Sequence, residues 1–190
     1  MGMKMRKTRI IAVITAAMLI AAAALMSSCG KENGDAPDGY VKISADGVGY
    51  SFYAPETWIA TEQSGVTGAK ASDFDSSNVS MMGFDAGNAN SAQDYWDAYS
   101  KDYTGIFGDF SYEDEGSDTV IGGRDAKKYI YTVKLSDKDY KIMQIVCYSA
   151  NTSLFTSQPE VYVFTYTAQA DKYDEHIEEV LMMADSVVFD

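Results

Sequence analysis

The 190-residue chain carries one histidine and two cysteines, so chemistry built on imidazole or thiol has few places to sit. His176 lies in the run Asp171 to Ala184, beside Asp174, Glu175, Glu178 and Glu179. Carboxylates at that spacing favour the protonated imidazole where they come close. As a catalytic base His176 would also need a nucleophile and an orienting partner, and the sequence places neither beside it. The reading is a polar residue on a solvated helix face. Cys147 stands in an apolar strand pattern, where a lone cysteine behaves as a small buried hydrophobe. One histidine and one spare cysteine exclude zinc sites of the His/Cys type. No Gly-rich phosphate loop ending in Lys-Ser/Thr occurs, nor a Gly-x-Ser-x-Gly elbow. The chain is therefore expected to be no enzyme, with no catalytic residue and no cofactor.

Acidic clusters are the remaining chemistry. Asp73-Phe74-Asp75-Ser76-Ser77 opens like a calcium loop. However, Asn78 stands at the sixth place, where Gly is expected, and Phe84 at the twelfth, where Glu is expected. Glu113, Asp114, Glu115 and Asp118 gather near a turn, and Asp137 and Asp139 sit at a hairpin tip. As charged turns they need no ion, and no metal ligand is assigned. Calcium or other metal binding is the alternative function class, and a hydrolase built on paired carboxylates comes after it, since nothing singles out a pair.

The N-terminus decides where such chemistry would take place. Lys4, Arg6, Lys7 and Arg9 form a basic start, Ile10 to Met26 an apolar run, and Ser27 and Ser28 lead into Cys29. That is the layout of a bacterial secretory signal. With Cys29 at its exit, the segment resembles the lipobox of bacterial lipoproteins, departing from it at Met26, where Leu is commonest. The run also approaches the roughly 20 residues that span a bilayer. Its alanine content, its lack of aromatic belt residues and its small-small-Cys exit favour cleavage over an uncleaved anchor. The resemblance implies that residues 1–28 are a signal peptide and that Cys29 becomes a lipid-bearing N-terminus. The protein would then be anchored on the extracytoplasmic face of the cell membrane. Two or more acyl chains anchor stably, at about 0.8 kcal/mol per buried methylene.

All 28 acidic residues follow that segment, whereas four of the 15 basic residues lie within it, leaving the rest of the chain near −17. Such a surface repels phosphate backbones, so no nucleic acid partner is expected. The lipid anchor points instead to the membrane itself and an envelope protein as partners. With Cys29 acylated, Cys147 has no partner for an internal disulfide. The sequence leaves the oligomeric state open.

Residues 29–39 are polar and rich in Gly, Asp and Pro, as in a flexible tether. About 150 residues remain, enough for one domain with a substantial core. Tyr40 to Ala45 and Gly49 to Tyr53 read as a hairpin about Asp46-Gly47. Pro55 to Trp58 reads as a turn that folds Trp58 onto the core, Ile59 to Gln63 as a short strand, and Asn78 to Phe84 as another. Gly65 to Ser77 shows no clear pattern. Ser91 is a predicted N-cap with Asp94 completing a capping box. Tyr95, Trp96, Tyr99, Tyr103, Ile106 and Phe107 then recur at helical spacing up to Gly108, and such a stripe reads as core rather than as a stacking platform. Phe110 to Glu115 and Ser117 to Ile121 look like two strands about Gly116. Ala126 to Leu135 and Tyr140 to Ser149 form the clearest hairpin, and Asn151 to Pro159 a polar loop of the sort that carries binding residues. The end reads as strand (Val161 to Thr167), helix (Asp171 to Ala184, with Tyr173, Ile177, Val180, Leu181 and Ala184 on one face) and a brief extended Ser186 to Phe189.

That order resembles a family. The FYAPETW turn (Phe52 to Trp58), the FTYTA strand (Phe164 to Ala168), a final helix carrying Tyr173 and the closing SVVF are similar to the PsbP/Mog1-type fold. This fold occurs in photosystem-associated PsbP proteins, a Ran-binding nuclear import factor and many bacterial lipoproteins. The resemblance covers roughly residues 40–190. It implies an α+β domain: a central antiparallel sheet of about six strands with helices on both faces, an α/β/α sandwich. Members mostly bind proteins or assist assembly, and none of their binding residues transfers to a position here. The expected function is a membrane-tethered, non-enzymatic binding or accessory module for a protein or small ligand.

Overall fold

A computed structural model describes residues 36–63, 66–150 and 158–190. The signal segment, Cys29, the tether as far as residue 35 and the loop 151–157 lie outside the described residues.

Ten strands are described, in two antiparallel sheets. The smaller sheet joins β1 (Tyr40–Ser44), β2 (Tyr50–Pro55) and β10 (Val188–Phe189), in that order. The larger one comprises β3 (Ile59–Gln63), β4 (Val66–Lys70), β5 (Asn78–Asp85), β6 (Gly108–Ile121), β7 (Arg124–Leu135), β8 (Lys138–Ser149) and β9 (Glu160–Gln169). Its order is β3-β4-β5-β9-β8-β7-β6. The predicted hairpins form in register: Ser44 opposes Ser51, and Leu135 opposes Lys138. Ser136 and Asp137 both take positive φ at the second turn, 49° and 67°, as a two-residue loop matched to strand twist requires.

The larger sheet has seven strands where the resemblance implies about six, and of the seven β4 leaves no mark in the sequence. All five of its residues (VTGAK) are buried, so no polar face alternates with an apolar one. The two pieces expected about Gly116 are instead one strand, β6, with three register shifts against β7. One shift lies at Gly116, which has φ +117°; a Cβ there would meet the Tyr129 ring at 2.8 Å. Bulges of this kind let a long strand keep its pairing while it bends.

Between β5 and β6 the chain forms α1 (Ala92–Tyr99), a short 3₁₀ turn and α2 (Tyr103–Ile106), where the sequence reads as one helix. Ser91 caps α1 as predicted, its Oγ accepting from the Asp94 N–H at 3.0 Å. The Asp94 carboxylate reaches back one residue further than expected, accepting from Asn90 N–H at 3.1 Å. After β9 comes α3 (Tyr173–Asp185).

Side chains successive along β8 and β9 divide between two clusters. Met143, Ile145, Cys147, Phe164 and Tyr166 join Phe52, Trp58, Val79, Met81 and the α3 residues Tyr173, Val180, Met183 and Ala184. Ile142, Val146, Val161 and Val163 join Tyr95, Trp96, Tyr103, Phe107, Tyr129 and Tyr131. The α1–α2 stripe is thus core, except that Ile106 is exposed. On α3 Leu181 also turns out to solvent, and Met183 takes the place the sequence pattern gives it. The turn at Pro55 closes through Trp58 N–H to Pro55 C=O at 2.9 Å and seats Trp58 in the first cluster.

Candidate functional site

The chemistry-bearing groups that converge do so where α3 meets the loop from Ala71 to Ser77. That loop is closed at its base by Ala71 N–H to Ser77 C=O, at 2.8 Å. Inside it the Ser72 Oγ accepts from the N–H groups of Phe74 (3.2 Å) and Asp75 (3.0 Å). Asp75 Oδ1 accepts from Ser77 N–H at 2.8 Å. Lys70, almost wholly buried along its stem, reaches Asp73 at 2.7 Å. These short-range bonds are what Ser and Asp offer a chain that is neither helix nor strand. The loop they fix turns Asp75 inward and leaves Phe74 fully exposed.

His176 meets this loop. Its Nε2 lies 3.0 Å from Asp75 Oδ2, and its Nδ1 lies 3.1 Å from Glu179 Oε2. Trp58 packs edge-on against the imidazole at 5.4 Å between centroids and donates Nε1–H to the same Glu179 oxygen at 3.1 Å. Glu175, one residue back, holds Lys172 at 2.7 Å. His176 is therefore not a solvated residue on an open helix face: its side chain is 21% exposed and pinned on both nitrogens. Burial lowers its pKa, but the bonds to Asp75 and Glu179 outweigh that and raise it above the ordinary value. Burial likewise pushes Asp75 up, and the Ser77 hydroxyl and N–H together with His176 more than reverse it, holding the carboxyl low. The result is an imidazole held between two carboxylates, with both ring nitrogens already taken.

Of the acidic groups singled out in the sequence, Asp73 and Asp75 take different partners, Lys70 and His176. Glu113 pairs with Lys141 at 2.7 Å, Asp118 with Lys127 at 2.7 Å, and Asp114 caps Gly116 and Ser117. Among the described residues, one group of metal-ligating type emerges: Asp75, Glu175 and His176, whose ligand atoms all lie within 4.8 Å of one another. Cys147 is buried, and burial pushes its thiol up to about 11, as expected of an inert side chain. Cys29 lies outside the described residues. The convergence of Asp75, Trp58 and Glu179 on His176 was missed in the sequence, where the sole hint was the Asp-x-Asp spacing of the loop.

The aromatic stripe is spent on packing. Trp96 stacks on Tyr129 at 3.9 Å and 9°, and its Nε1–H donates to the Tyr112 hydroxyl at 3.1 Å. Beneath it Tyr131 O–H donates to Gln144 Oε1 (3.0 Å), and Gln144 Nε2 donates to Thr165 Oγ1 (3.1 Å). The cleft between Tyr95, Tyr99, Gln144 and Val163 takes no more than about one water.

The chain matches no family model, and no curated protein matches it by sequence. Among solved structures it is similar to the cyanobacterial PsbP (CyanoP) of Synechocystis sp. PCC 6803, at TM-score 0.56 and 16% identity. That likeness covers 87% of this chain and 99% of the other. The fold is PsbP-like. A second match is LpqN of Mycobacterium tuberculosis, a protein involved in cell envelope biogenesis, at TM-score 0.54 and 12% identity. It covers 73% of this chain and 82% of LpqN. At such identities the PsbP-like likeness speaks for the fold alone. Among the described residues, no helix is long and apolar enough to cross a membrane.

Proposed function

We propose that this chain is a lipid-anchored accessory module of the cell envelope, which acts by binding a protein partner and does no covalent chemistry. The PsbP-like fold supports this reading, together with the likeness to LpqN, a protein involved in cell envelope biogenesis. Residues 1–28 act as a signal peptide, Cys29 takes the lipid on the extracytoplasmic face of the cell membrane, and residues 29–39 tether a single domain, 40–190. The two core clusters support an α/β/α sandwich, with α3 and the small sheet on one face of the large sheet and α1–α2 on the other.

Phe74 is the anchor for the partner in this reading. It is a fully exposed aromatic on a loop fixed by side-chain bonds, so little freedom remains to be lost on docking. Asp73 and Asp75 flank it in sequence and are already paired, with Lys70 and His176, so the complementary surface is an apolar pocket that takes the ring. The test is cross-linking in intact cells, then binding of the identified, purified partner to full-length wild type and Phe74→Glu. The reading expects one discrete envelope protein, bound at least tenfold more weakly by Phe74→Glu with thermal stability unchanged. Equal binding by both chains would move the interface away from Phe74, and no discrete cross-linked protein would contradict the accessory role.

A further inference from the structure

We propose that Asp75, Glu175 and His176 form a binding site for a divalent transition cation of the zinc class, bridging the 71–77 loop to α3. The three side chains offer two carboxylates and an imidazole with ligand atoms within 4.8 Å of one another. Bonds of about 2.0–2.2 Å from such donors hold the ligand atoms of one ion roughly 3–4 Å apart. Asp75 Oδ2 and His176 Nε2 already stand at 3.0 Å, and the half-exposed Glu175, once released by Lys172, supplies the remaining movement.

The surroundings are those of a ligand set rather than of an accidental cluster. Glu179 accepts from the Nδ1 side of His176 and is itself held by Trp58 Nε1–H. Carboxylates commonly orient metal-binding histidines in this way, turning the other nitrogen to the ion. Here that other nitrogen is Nε2, which faces Asp75. Ser77 supplies an independent observation. It is fully buried, its N–H donates to Asp75 Oδ1 at 2.8 Å, and its hydroxyl has no hydrogen-bond partner. A second ligand oxygen or a metal-bound water fills that place. The imidazole selects the class of ion: nitrogen donors suit zinc, copper and nickel, whereas calcium takes six to eight oxygens. Lys172, bonded to Glu175 at 2.7 and 2.9 Å, is the group an ion must displace.

The site stands independently of any protein partner, and the chain's single histidine makes it testable without ambiguity. The full-length chain in detergent, without a histidine tag and stripped with chelator, is titrated with zinc chloride and separately with calcium chloride. The readout is the long-range ¹H–¹⁵N spectrum of the sole imidazole. One equivalent of zinc is expected to shift Nε2 and leave Nδ1 protonated, while calcium leaves both unmoved. Calorimetry is expected to give one site, weakened at least tenfold by Asp75→Asn or by the exposed Glu175→Gln, and tightened by Lys172→Ala. An imidazole spectrum unmoved by zinc overturns the proposal, and this test needs no variant to fold. Equal zinc affinity in Glu175→Gln and wild type would also overturn the site as drawn.

Discussion

His176 Nε2 stands 3.0 Å from Asp75 Oδ2 although 101 residues separate them, and this contact ties the last helix to the loop after β4. Glu179 on the other nitrogen, itself fixed by Trp58, makes the imidazole the centre of a chain of charged bonds.

The contact gives stability a pH dependence of defined sign. His176 has a raised pKa when folded, so its contribution is complete below the unfolded value of about 6.5 and is lost as pH rises through the folded value. Asp75 has a lowered one, so its contribution is complete above about 3.9 and is lost as pH falls through the folded value. In chelator-treated buffer the destabilisation caused by His176→Gln should therefore be largest between about pH 4 and 6.5. On the order of 1 kcal/mol is expected there, given partial solvent screening. Denaturant melts of both chains at pH 3, 5.5 and 8.5 check it; a difference that is the same at all three would contradict the pairing.

Gly122 and Gly123 should separate backbone strain from packing. Both have positive φ, 56° and 73°, but a Cβ on Gly122 would meet the Phe189 ring at 2.6 Å and the Val187 carbonyl at 3.0 Å, whereas one on Gly123 meets nothing. Gly123→Ala should cost about 1 kcal/mol and Gly122→Ala about 2–4 kcal/mol, because overpacking adds to the strain. Equal costs in equilibrium unfolding would mean that β10 does not close over this turn.

How much of this was legible in the sequence depends on the range of the cause. The β7–β8 hairpin, the Ser91 cap and the Pro55 turn rest on neighbours a few residues apart, and all were read correctly. β4 was not, because Val66 to Lys70 is buried throughout and shows no alternation. Leu181 was assigned to the core from helical spacing, yet it faces solvent while Met183 is buried; which arc of α3 is covered depends on β2 and β9, and spacing along the helix does not fix that. The His176 site was illegible for the same reason. Its own helix shows only carboxylates, and both Asp75 and Trp58 arrive through tertiary packing.

The buried polar row beneath α1 should be sensitive to a single oxygen. Tyr131→Phe removes the donor to Gln144 Oε1, a side chain 2% exposed, and leaves that acceptor unpaired. A loss of about 1–3 kcal/mol is expected. Tyr129→Phe breaks a bond to Gln93 that is only partly buried and should cost under about 1 kcal/mol. The reverse order in urea melts would contradict the described packing.

Cys147 should be silent until the protein unfolds. In a Cys29→Ala chain it is the sole thiol, and burial has pushed it up to about 11. Ellman's reagent at pH 8 is expected to label the native chain at least about 100-fold more slowly than the urea-unfolded chain, as for an inaccessible, protonated thiol. Comparable rates would mean that the end of β8 opens readily between β7 and β9.

Whether the domain is a tethered envelope module is decided by mass spectrometry of the N-terminal peptide from the membrane fraction, in wild type and Cys29→Ala. A lipid tether should give a peptide that begins at Cys29, carries diacylglycerol and disappears in the variant. A chain retaining residues 1–28 without modification, or one cleaved there and unmodified, would contradict it.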